Sequence, residues 1–218
     1  MSVHDLRRLL RALPVFPASM PGFDTAGAPD DPDELFVEWL EAAIAAGVPA
    51  PHAMTLSTVD DGRPAARVLI LKNLTGGEWQ FATGSTSPKG RQLAAHPHAA
   101  LTFFWPTIGR QIRIRGAVRP ADRADSARDF LGRPPGSRAE ALIGRQSQVL
   151  ADPAELDAAL AEAYAKVEDD PDLVAPHWTL YGVRAEQVEF WQGDPERRHT
   201  RLRYSRAGDA WSKQTLWP

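Results

Sequence analysis

Short runs of alternating hydrophobic and polar residues dominate the middle of the chain, and this pattern predicts β-strands. Ile112, Arg113, Ile114 and Arg115 alternate one by one, which is the period of a strand buried on one face. Asp61-Gly62 separates two such runs and is a typical hairpin turn. Strands are predicted at residues 53–59, 67–74, 79–83, 99–105, 111–118 and 178–191, with a closing hairpin of 201–204 and 211–216.

The best-marked helix follows Asp31, which is a suitable N-cap. Pro32 suits the first helical position, Glu34 completes a capping box, and Gly47 is expected to end the helix. Its apolar face is predicted to consist of Leu35, Phe36, Trp39, Leu40 and Ile44. Further helices are predicted at 88–95, 123–131, 138–145 and 153–167, the last with Leu156, Leu160 and Tyr164 at helical spacing.

Residues 1–30 begin with a short amphipathic piece, in which Val3, Leu6, Leu9 and Leu10 have helical spacing, and continue into a stretch rich in Pro, Gly and Ala. We interpret them as a mobile N-terminal segment and residues 31–218 as a single domain. Short strands interrupted by helices, without a βαβ rhythm, predict a mainly β fold, an antiparallel β-barrel with helices packed outside it.

The composition narrows the possible functions. The 218 residues are 43% apolar, enough to bury a core, and the net charge of −3 argues against nucleic acid and anionic membranes as partners. There is no cysteine, so thiolate chemistry is excluded, and the histidines lack metal-ligand spacing, so no metal is predicted. The absence of a long apolar run and of a secretory signal predicts a cytoplasmic protein.

Two segments carry cations suited to an anionic ligand. RVLILK, Arg67–Lys72, has a cation at each end of a strand; the two either flank a bound anion or reach into water. In GSTSPKGRQL, Gly84–Leu93, Ser87 and Pro88 begin a helix whose first turn carries Lys89. Free N–H groups and the helix dipole favour an anion there, although a capped surface helix has the same pattern.

Two further segments offer polar and basic groups. RQSQ, residues 145–148, provides uncharged donors and acceptors suited to the edge of a heterocycle, although a surface loop has such residues too. By strand spacing, one face of EFWQGDPERRHTRLRY, residues 189–204, carries Arg197, His199, Arg201 and Arg203. Because like charges repel, two alternatives are open for these basic side chains. Either an anion or carboxylates lie among them, or the hairpin is a solvated basic surface.

Together and in this order, these segments resemble the pyridoxamine 5′-phosphate oxidase family over Pro32–Pro218. The resemblance rests on RVLILK, on T-x-x-x-S-x-K from Thr83, and on R-Q-I-x-I-x-G from Arg110. It continues with RP-x-x-S from Arg133, a QS pair, EFWQG with R-x-H-x-R, and a closing R…W…L-x-P. Each motif is weak alone, whereas the ordered set is specific.

The resemblance implies a split β-barrel that forms a two-fold homodimer, with FMN at the interface. The FMN ligands that it implies, some of them from the partner subunit, are Arg67, Val68, Leu69, Ile70, Lys72, Ala82, Thr83, Ser87, Lys89, Gln111, Gln146, Ser147, Trp191 and Arg201. No covalent link to the flavin is implied.

The substrate side that the resemblance implies has Lys72, Arg133 and Ser137 around a phosphate, with Arg197 and His199 over the reacting carbon. Arg197 and His199 are the implied catalytic residues, because Arg197 positions the substrate and His199 orients it or carries a proton. The implied reaction oxidises pyridoxamine or pyridoxine 5′-phosphate to pyridoxal 5′-phosphate, with O₂ as acceptor and hydrogen peroxide released.

Three residues depart from the family pattern. Pro88 stands where the family has an arginine, and Arg91, one helical turn later, is the expected substitute for that cation. Ala82 stands where an aromatic residue is common, and Asp129 stands where the family has a tyrosine. A carboxylate at about 4 Å from a phosphate costs about 4 kcal/mol per charge pair at an effective dielectric near 20. Either Asp129 turns to solvent, or the substrate is another heterocycle, such as a dihydrophenazine-type intermediate. A non-enzymatic flavin or haem carrier and a flavin reductase are the other classes left open.

Overall fold

The structure is a computed structural model that describes residues 5–17 and 19–218. Its helices are α1 Leu6–Ala12, α2 Pro32–Ala45, α3 Pro88–Ala95, α4 Arg123–Leu131, α5 Pro135–Ile143 and α6 Pro153–Asp169. Its strands are β1 Ala53–Asp60, β2 Arg63–Ile70, β3 Asn73–Thr75, β4 Glu78–Gly84, β5 His98–Trp105, β6 Arg110–Pro120, β7 Trp178–Gln192, β8 Thr200–Ala207 and β9 Ala210–Thr215. The predicted helical spacing at Val3 lies outside the described residues.

The sheet is built largely from antiparallel neighbours. Its strand order is β2-β1-β5-β6-β7-β4-β3, and β8 pairs with both β7 and β9. The pairs β1–β2, β3–β4, β4–β7, β7–β8 and β8–β9 are antiparallel. The prediction of a mainly β architecture with flanking helices is therefore confirmed.

The chain divides into two compact units. The first consists of the described residues up to His52, Thr102–Arg113 and Gln187–Pro218, and the second of Ala53–Leu101 and Ile114–Glu186. The candidate site residues are distributed over both units, so each unit's share is described separately below. The expected division into a mobile segment 1–30 and one domain 31–218 stays a prediction.

Helix α2 packs its aromatic face into the core of the first unit. Asp31 caps the helix by accepting a 2.9 Å hydrogen bond from the backbone N–H of Asp33. Phe36 contacts Phe103 at 5.2 Å between ring centroids. The prediction for Ile44 was wrong, because its side chain is 60% exposed. The small Ala43, one helical turn after Trp39, is buried instead and lets the helix approach the core closely.

The predicted strand 67–74 is two strands. Asp61 and Gly62, with φ of 49° and 76°, form the predicted hairpin turn, and this turn pairs Arg63 with Asp60. β2 therefore begins before Arg67 and ends at Ile70, whereas β3 pairs with β4. Lys72 lies between the two strands, where its backbone N–H donates to the carbonyl oxygen of Gln80 at 2.7 Å.

Helices α5 and α6 differ from their predicted bounds and faces. The helix predicted at 138–145 spans Pro135–Ile143, because a proline suits its first position and Gly144, with φ of 68°, ends it. The apolar face predicted for α6 was wrong at Leu156 and Tyr164, which are 42% and 45% exposed. The buried contacts come instead from small and branched residues of α5 and α6, namely Ala139, Ala163 and Val167.

Candidate active site

Helix α3 begins at a tight loop that places Ser87 and Lys89 close together. β4 ends at Gly84, and Ser87 caps α3 by accepting a 3.2 Å hydrogen bond from the backbone N–H of Gly90. A Cβ at position 90 would collide with the carbonyl oxygens of Gly84 and Ser85. Only glycine therefore allows the loop to fold this tightly against the helix.

Lys89 is a buried cation held by uncharged partners. Its ammonium donates to Oε1 of Gln146 at 2.5 Å and to Oγ of Ser87 at 3.4 Å, and the residue is only 6% exposed. Burial lowers the pKa of Lys89, the charge of Arg67 lowers it further, and Glu140 opposes both effects. An anion at this position would restore the electrostatic stabilisation that the ammonium lost with its water.

Arg67 is held in the same way by two residues that no sequence motif identified. Its Nη1 donates to Oγ1 of Thr58 at 2.6 Å, and its Nη2 donates to Oε1 of Gln92 at 3.0 Å. The hydroxyl of Thr58 also donates to Gln92, at 2.6 Å. Burial lowers the pKa of Arg67, with Asp60 opposing. Since both partners are neutral, the guanidinium keeps its full charge for an anionic ligand.

Thr58 could have been found from the hairpin register. Arg67 lies opposite Leu56, and Thr58, two residues further along β1, shares that face of the sheet. A count outward from the Asp61-Gly62 turn gives this diagonal neighbour, which is within reach of a long side chain. Gln92 could not be found in this way, because α3 is placed against β1 only by tertiary packing.

Arg91, the expected substitute for the cation missing at Pro88, lies at the start of α3. Its guanidinium donates to the carbonyl oxygen of Thr86 in the preceding loop, and its side chain is exposed. The loop itself therefore holds Arg91, in contrast to the half-buried Arg67 and the buried Lys89.

A cavity of about 570 Å³ in the second unit brings together many of the predicted residues. From the predicted set, its lining includes Val68, Leu69, Ile70, Lys72, Ala82, Thr83, Arg133, Ser137 and Gln146. A volume of this size suits a small organic ligand. Lys89 is connected to the cavity through its hydrogen bond to Gln146.

Asp129 faces this cavity and does not turn to solvent. Its Oδ2 accepts a 2.8 Å hydrogen bond from the indole Nε1 of Trp178, and its Oδ1 lies 3.5 Å from Nζ of Lys72. The Asp129 side chain is 13% exposed and belongs to the lining of the cavity. Asp129 therefore does not turn to solvent, the first of the two possibilities that the sequence left open; its carboxylate lies instead against Lys72, whose charge offsets it.

Arg133 offers a cation to the same cavity. Its guanidinium carbon lies 4.0 Å from the ring centroid of Trp178, and its Nη2 lies 3.9 Å from Oε2 of Glu140. Its Nη1 is buried without a hydrogen-bond partner among the described residues. Burial lowers the pKa of Arg133, with Glu140 and Asp129 opposing. A buried donor of this kind needs an acceptor, and an anionic ligand would provide one.

The first unit contains an aromatic cluster around His199. The ring of His199 lies 5.0 Å from that of Trp191 and 5.6 Å from that of Phe16. Its Nδ1 lies 3.0 Å from the backbone nitrogen of Asp194, whose N–H donates to it. Nδ1 is therefore an acceptor, so the neutral imidazole carries its hydrogen on Nε2. This arrangement makes His199 a hydrogen-bond donor toward a ligand.

Arg197 and His199 lie in a loop before β8, so the prediction that a strand carries them was wrong. β8 begins at Thr200, because a turn in which the backbone N–H of Arg197 donates to the carbonyl oxygen of Asp194 precedes it. Arg197 has φ of 69°, a left-handed conformation that costs a non-glycine residue about 1 kcal/mol. Such conformations cluster at functional sites.

A buried carboxylate, that of Glu189, balances part of the charge of the basic hairpin. Nε and Nη2 of Arg201 donate to Oε1 of Glu189 at 3.0 and 2.8 Å, and Arg113 donates to Oε2 at 2.5 Å. Arg201 also donates to the carbonyl oxygen of Trp217 at 2.9 Å. Arg203 donates to Oε1 of Gln214. The charge of Arg201, a predicted FMN ligand, is thus shared with a buried glutamate.

Replacing Glu189 with glutamine is expected to lower the free energy of unfolding by about 3 kcal/mol, because two arginines would lose their buried counter-charge. For a chain of this size, that corresponds to a Tm lower by roughly 6–12 °C. Glu162→Gln, which removes the exposed partner of Lys166, is the matched control and should leave the Tm within about 2 °C of the wild-type value. Equal Tm values for the two variants would contradict a structural role of Glu189.

The remaining predicted residues lie in loops or on exposed faces. Gln111 is half-buried on β6 in the first unit. Ser147, with φ of 67°, is exposed in the loop after α5 in the second unit. In the described part of the chain, no group of three or more His, Asp or Glu side chains could hold a metal ion. Over residues 5–17 and 19–218, no helix has the length and apolar character needed to span a bilayer.

The fold and the site define a flavin-binding protein of the split-barrel class. The buried Lys89, with neutral partners, lies at the start of α3, the half-buried Arg67 lies on β2, and apolar residues of β2 line the adjoining cavity. The chain belongs to the pyridoxamine 5′-phosphate oxidase family. The family model described as pyridoxamine 5′-phosphate oxidase matches residues 40–167, and the model of the pyridoxine 5′-phosphate oxidase C-terminal dimerisation region matches residues 178–218. The predicted family and fold class are confirmed, and the second match supports the expected homodimer.

Known relatives cover most of the chain. A protein of Ectopseudomonas mendocina named pyridoxine/pyridoxamine 5′-phosphate oxidase is 46% identical over 90% of this chain and 93% of its own length. The protein of the same name from Thermosynechococcus vestitus is 46% identical over 88% and 90% of the two chains. These relatives support an oxidase of this type.

Solved structures agree on the fold. The structure of PhzG from Burkholderia lata 383 in complex with tetrahydrophenazine-1-carboxylic acid has a TM-score of 0.84 at 30% identity, covering 92% of this chain and 100% of PhzG. A pyridoxamine 5′-phosphate oxidase-related, FMN binding protein from Nostoc punctiforme has a TM-score of 0.70 at 20% identity, covering 86% and 98%. The second likeness supports the fold alone.

Proposed function

We propose that this chain is an FMN-dependent oxidase that converts pyridoxamine or pyridoxine 5′-phosphate to pyridoxal 5′-phosphate, with O₂ as acceptor and hydrogen peroxide as product. The observation that carries the proposal is the pair of cations formed by the half-buried Arg67 and the buried Lys89, whose hydrogen-bond partners are all neutral. Such a pair is stabilised by an anion, and the phosphate of FMN is one. The names of the relatives support the B6 substrates.

The residues of the second unit fit FMN by their chemistry. Arg67, Ser87 and Lys89 are suited to the phosphate, and the α3 start adds its dipole. The apolar segment Val68–Ile70 and the amide of Gln146 are suited to the ring system, which is flat with a polar edge. In a homodimer, the rest of the proposed ligand set, partly from the partner subunit, is Lys72, Ala82, Thr83, Gln111, Ser147, Trp191 and Arg201.

In the proposed reaction, the flavin supplies the redox chemistry and the residues of the chain bind and orient the substrate. A bound flavin would supply the two-electron oxidation of the substrate carbon, with O₂ as the final acceptor and hydrogen peroxide as the product. With pyridoxamine 5′-phosphate, the oxidised C=N product takes up water to give the aldehyde and ammonia, whereas the alcohol of pyridoxine 5′-phosphate is oxidised to the aldehyde directly. Arg133 and Ser137 hold the substrate's anionic group, Arg197 positions the reacting carbon, and Nε2–H of His199 donates a hydrogen bond to the substrate.

A second candidate substrate is a partly reduced nitrogen heterocycle with a ring carboxylate in place of a phosphate. The observation that favours it is the contact of Asp129 with Lys72 inside the cavity, which removes one of two cations from a phosphate. The related PhzG structure contains tetrahydrophenazine-1-carboxylic acid, a compound of this chemistry.

An aerobic assay of the FMN-loaded protein tests the proposal. Pyridoxamine 5′-phosphate and tetrahydrophenazine-1-carboxylic acid are supplied separately, and product and hydrogen peroxide are followed together. Turnover of the phosphate ester with stoichiometric peroxide supports the first substrate, and preferential turnover of the carboxylic acid supports the second. A flavin-loaded protein that releases peroxide with neither substrate would refute the oxidase and leave a non-enzymatic flavin carrier.

A further inference from the structure

We propose that Asp129 makes the cavity discriminate against substrate anions of higher charge. By pairing with Lys72, it offsets one of the cations of the cavity and repels the ligand, so it weakens the binding of a doubly charged phosphate monoester more than that of a singly charged carboxylate. This inference rests on the proposed function for the identity of the cavity as the substrate site. It deepens that proposal by naming the residue that sets how strongly the cavity discriminates between the two candidate substrates.

Trp178 fixes Asp129 in this role. The indole N–H donates to Oδ2 of Asp129 at 2.8 Å, while Oδ1 faces Nζ of Lys72 at 3.5 Å. If the carboxylate rotated toward solvent, the half-buried indole N–H would lose its acceptor, which is costly. The negative charge of Asp129 is therefore a fixed part of the cavity wall.

Trp178 also holds Arg133, another cation of the cavity lining. The guanidinium of Arg133 lies on the face of the indole ring, at 4.0 Å from its centroid. Its contact with Glu140 is long, at 3.9 Å, and the Glu140 side chain is 60% exposed, so water screens that carboxylate. The buried Nη1 of Arg133, which has no partner in the described part of the chain, is the donor available to a ligand.

The two ends of the site thus differ in charge. Arg67 and Lys89 have neutral hydrogen-bond partners, whereas Lys72 and Arg133 each lie near a carboxylate, Asp129 and Glu140 respectively. The first pair suits a dianion such as the flavin phosphate. At the second pair Asp129 offsets the charge of Lys72, while Arg133 and Arg128 remain as cations of the cavity lining. Repulsion from Asp129 grows in proportion to the charge of the ligand.

Calorimetric titration of the FMN-loaded protein tests this inference without requiring turnover. The probes are 4′-deoxypyridoxine 5′-phosphate, a dianion without the oxidisable hydroxyl, and phenazine-1-carboxylate, a monoanion. Asp129→Asn keeps an oxygen that accepts from Trp178 and removes the charge. We expect about tenfold tighter binding per ligand charge, so the Kd falls about 100-fold for the phosphate ester and about tenfold for the carboxylate.

The matched control is Asp157→Asn, which removes the charge of an exposed aspartate on α6 that does not line the cavity. Its Kd values should equal those of the wild type. A second variant, Lys72→Met, leaves Asp129 without its cation and should weaken the phosphate ester more than the carboxylate. It also keeps the inference testable if Asp129→Asn does not fold.

Equal shifts for the two probes, or no shift, in the variants that fold would overturn the inference. The proposed function fails by a different result, namely the absence of peroxide with every substrate. The binding preference and its dependence on Asp129 would stand in that case, so the two failures are distinguishable.

Discussion

Replacing Lys89 with methionine is expected to weaken FMN binding about 10- to 100-fold, the loss of one charge-assisted hydrogen bond to a phosphate. Methionine is similar in length to lysine and fills the buried position without the charge. The same change removes a buried cation whose pKa is lowered by burial, so the flavin-free protein should lose no more than about 1 kcal/mol of unfolding free energy. Quenching of FMN fluorescence gives the Kd, and thermal unfolding of the flavin-free protein gives the stability.

The control for this prediction is Lys166→Met on α6. That lysine is exposed and paired with Glu162 one turn earlier, so neither the FMN affinity nor the stability should change measurably. Retention of wild-type FMN affinity by Lys89→Met through extensive dialysis would remove Lys89 from the proposed phosphate site. Unfolding of the variant without flavin would instead assign Lys89 a structural role.

Replacing Arg197 with alanine is expected to lower kcat/KM of the proposed oxidase on the order of 100-fold, because a misplaced substrate loses most of the advantage of proximity. The flavin content and the Tm should remain close to those of the wild type, since the Arg197 side chain is exposed. Steady-state kinetics with the substrate identified by the assay above, together with the flavin absorbance per chain, measure both quantities.

Two further variants test whether activity depends on the guanidinium of Arg197 or only on the backbone conformation at position 197. Arg197→Lys has the same φ of 69° to satisfy and keeps a positive charge, so it should retain more activity than Arg197→Ala. Arg198→Ala changes the neighbouring exposed arginine, whose partner is Glu196, and should behave as the wild type. If all three variants had the same kcat/KM as the wild type, Arg197 would have no part in the reaction.

The local sequence predicted the secondary structure well wherever a cap or turn residue marked an element. Helices α3 and α4 have the predicted bounds, because Ser87 and Asp122 cap them by accepting hydrogen bonds from backbone N–H groups. The incorrect predictions concerned which face of a helix is buried. Ile44 and Tyr164 have the correct helical spacing and are nevertheless exposed, since a small residue beside each one allows the helix to pack closer on a different face.

Part of the candidate site was also predictable from local sequence signals. The residues of the 67–72 and 83–89 segments form one site because a hairpin, a strand and a capped helix follow one another along the chain. The basic face predicted for residues 197–203 was wrong, because the turn at Asp194 delays β8 until Thr200. Of the alternatives left open for those arginines, namely an anion, a carboxylate or a solvated surface, a carboxylate is present, as Glu189 next to Arg201.

By itself, the sequence determined the family and the mainly β fold class, and it predicted the cations of the candidate site, because these depend on short motifs and their order. Only the tertiary structure decided which of those cations keep an uncompensated charge. Gln146 is 57 residues from Lys89, Gln92 is 25 residues from Arg67, and Trp178 is 49 residues from Asp129. Residues so far apart in the sequence are brought together by tertiary packing alone. Whether the partner of a cation is charged or neutral decides whether that cation is available to bind a phosphate.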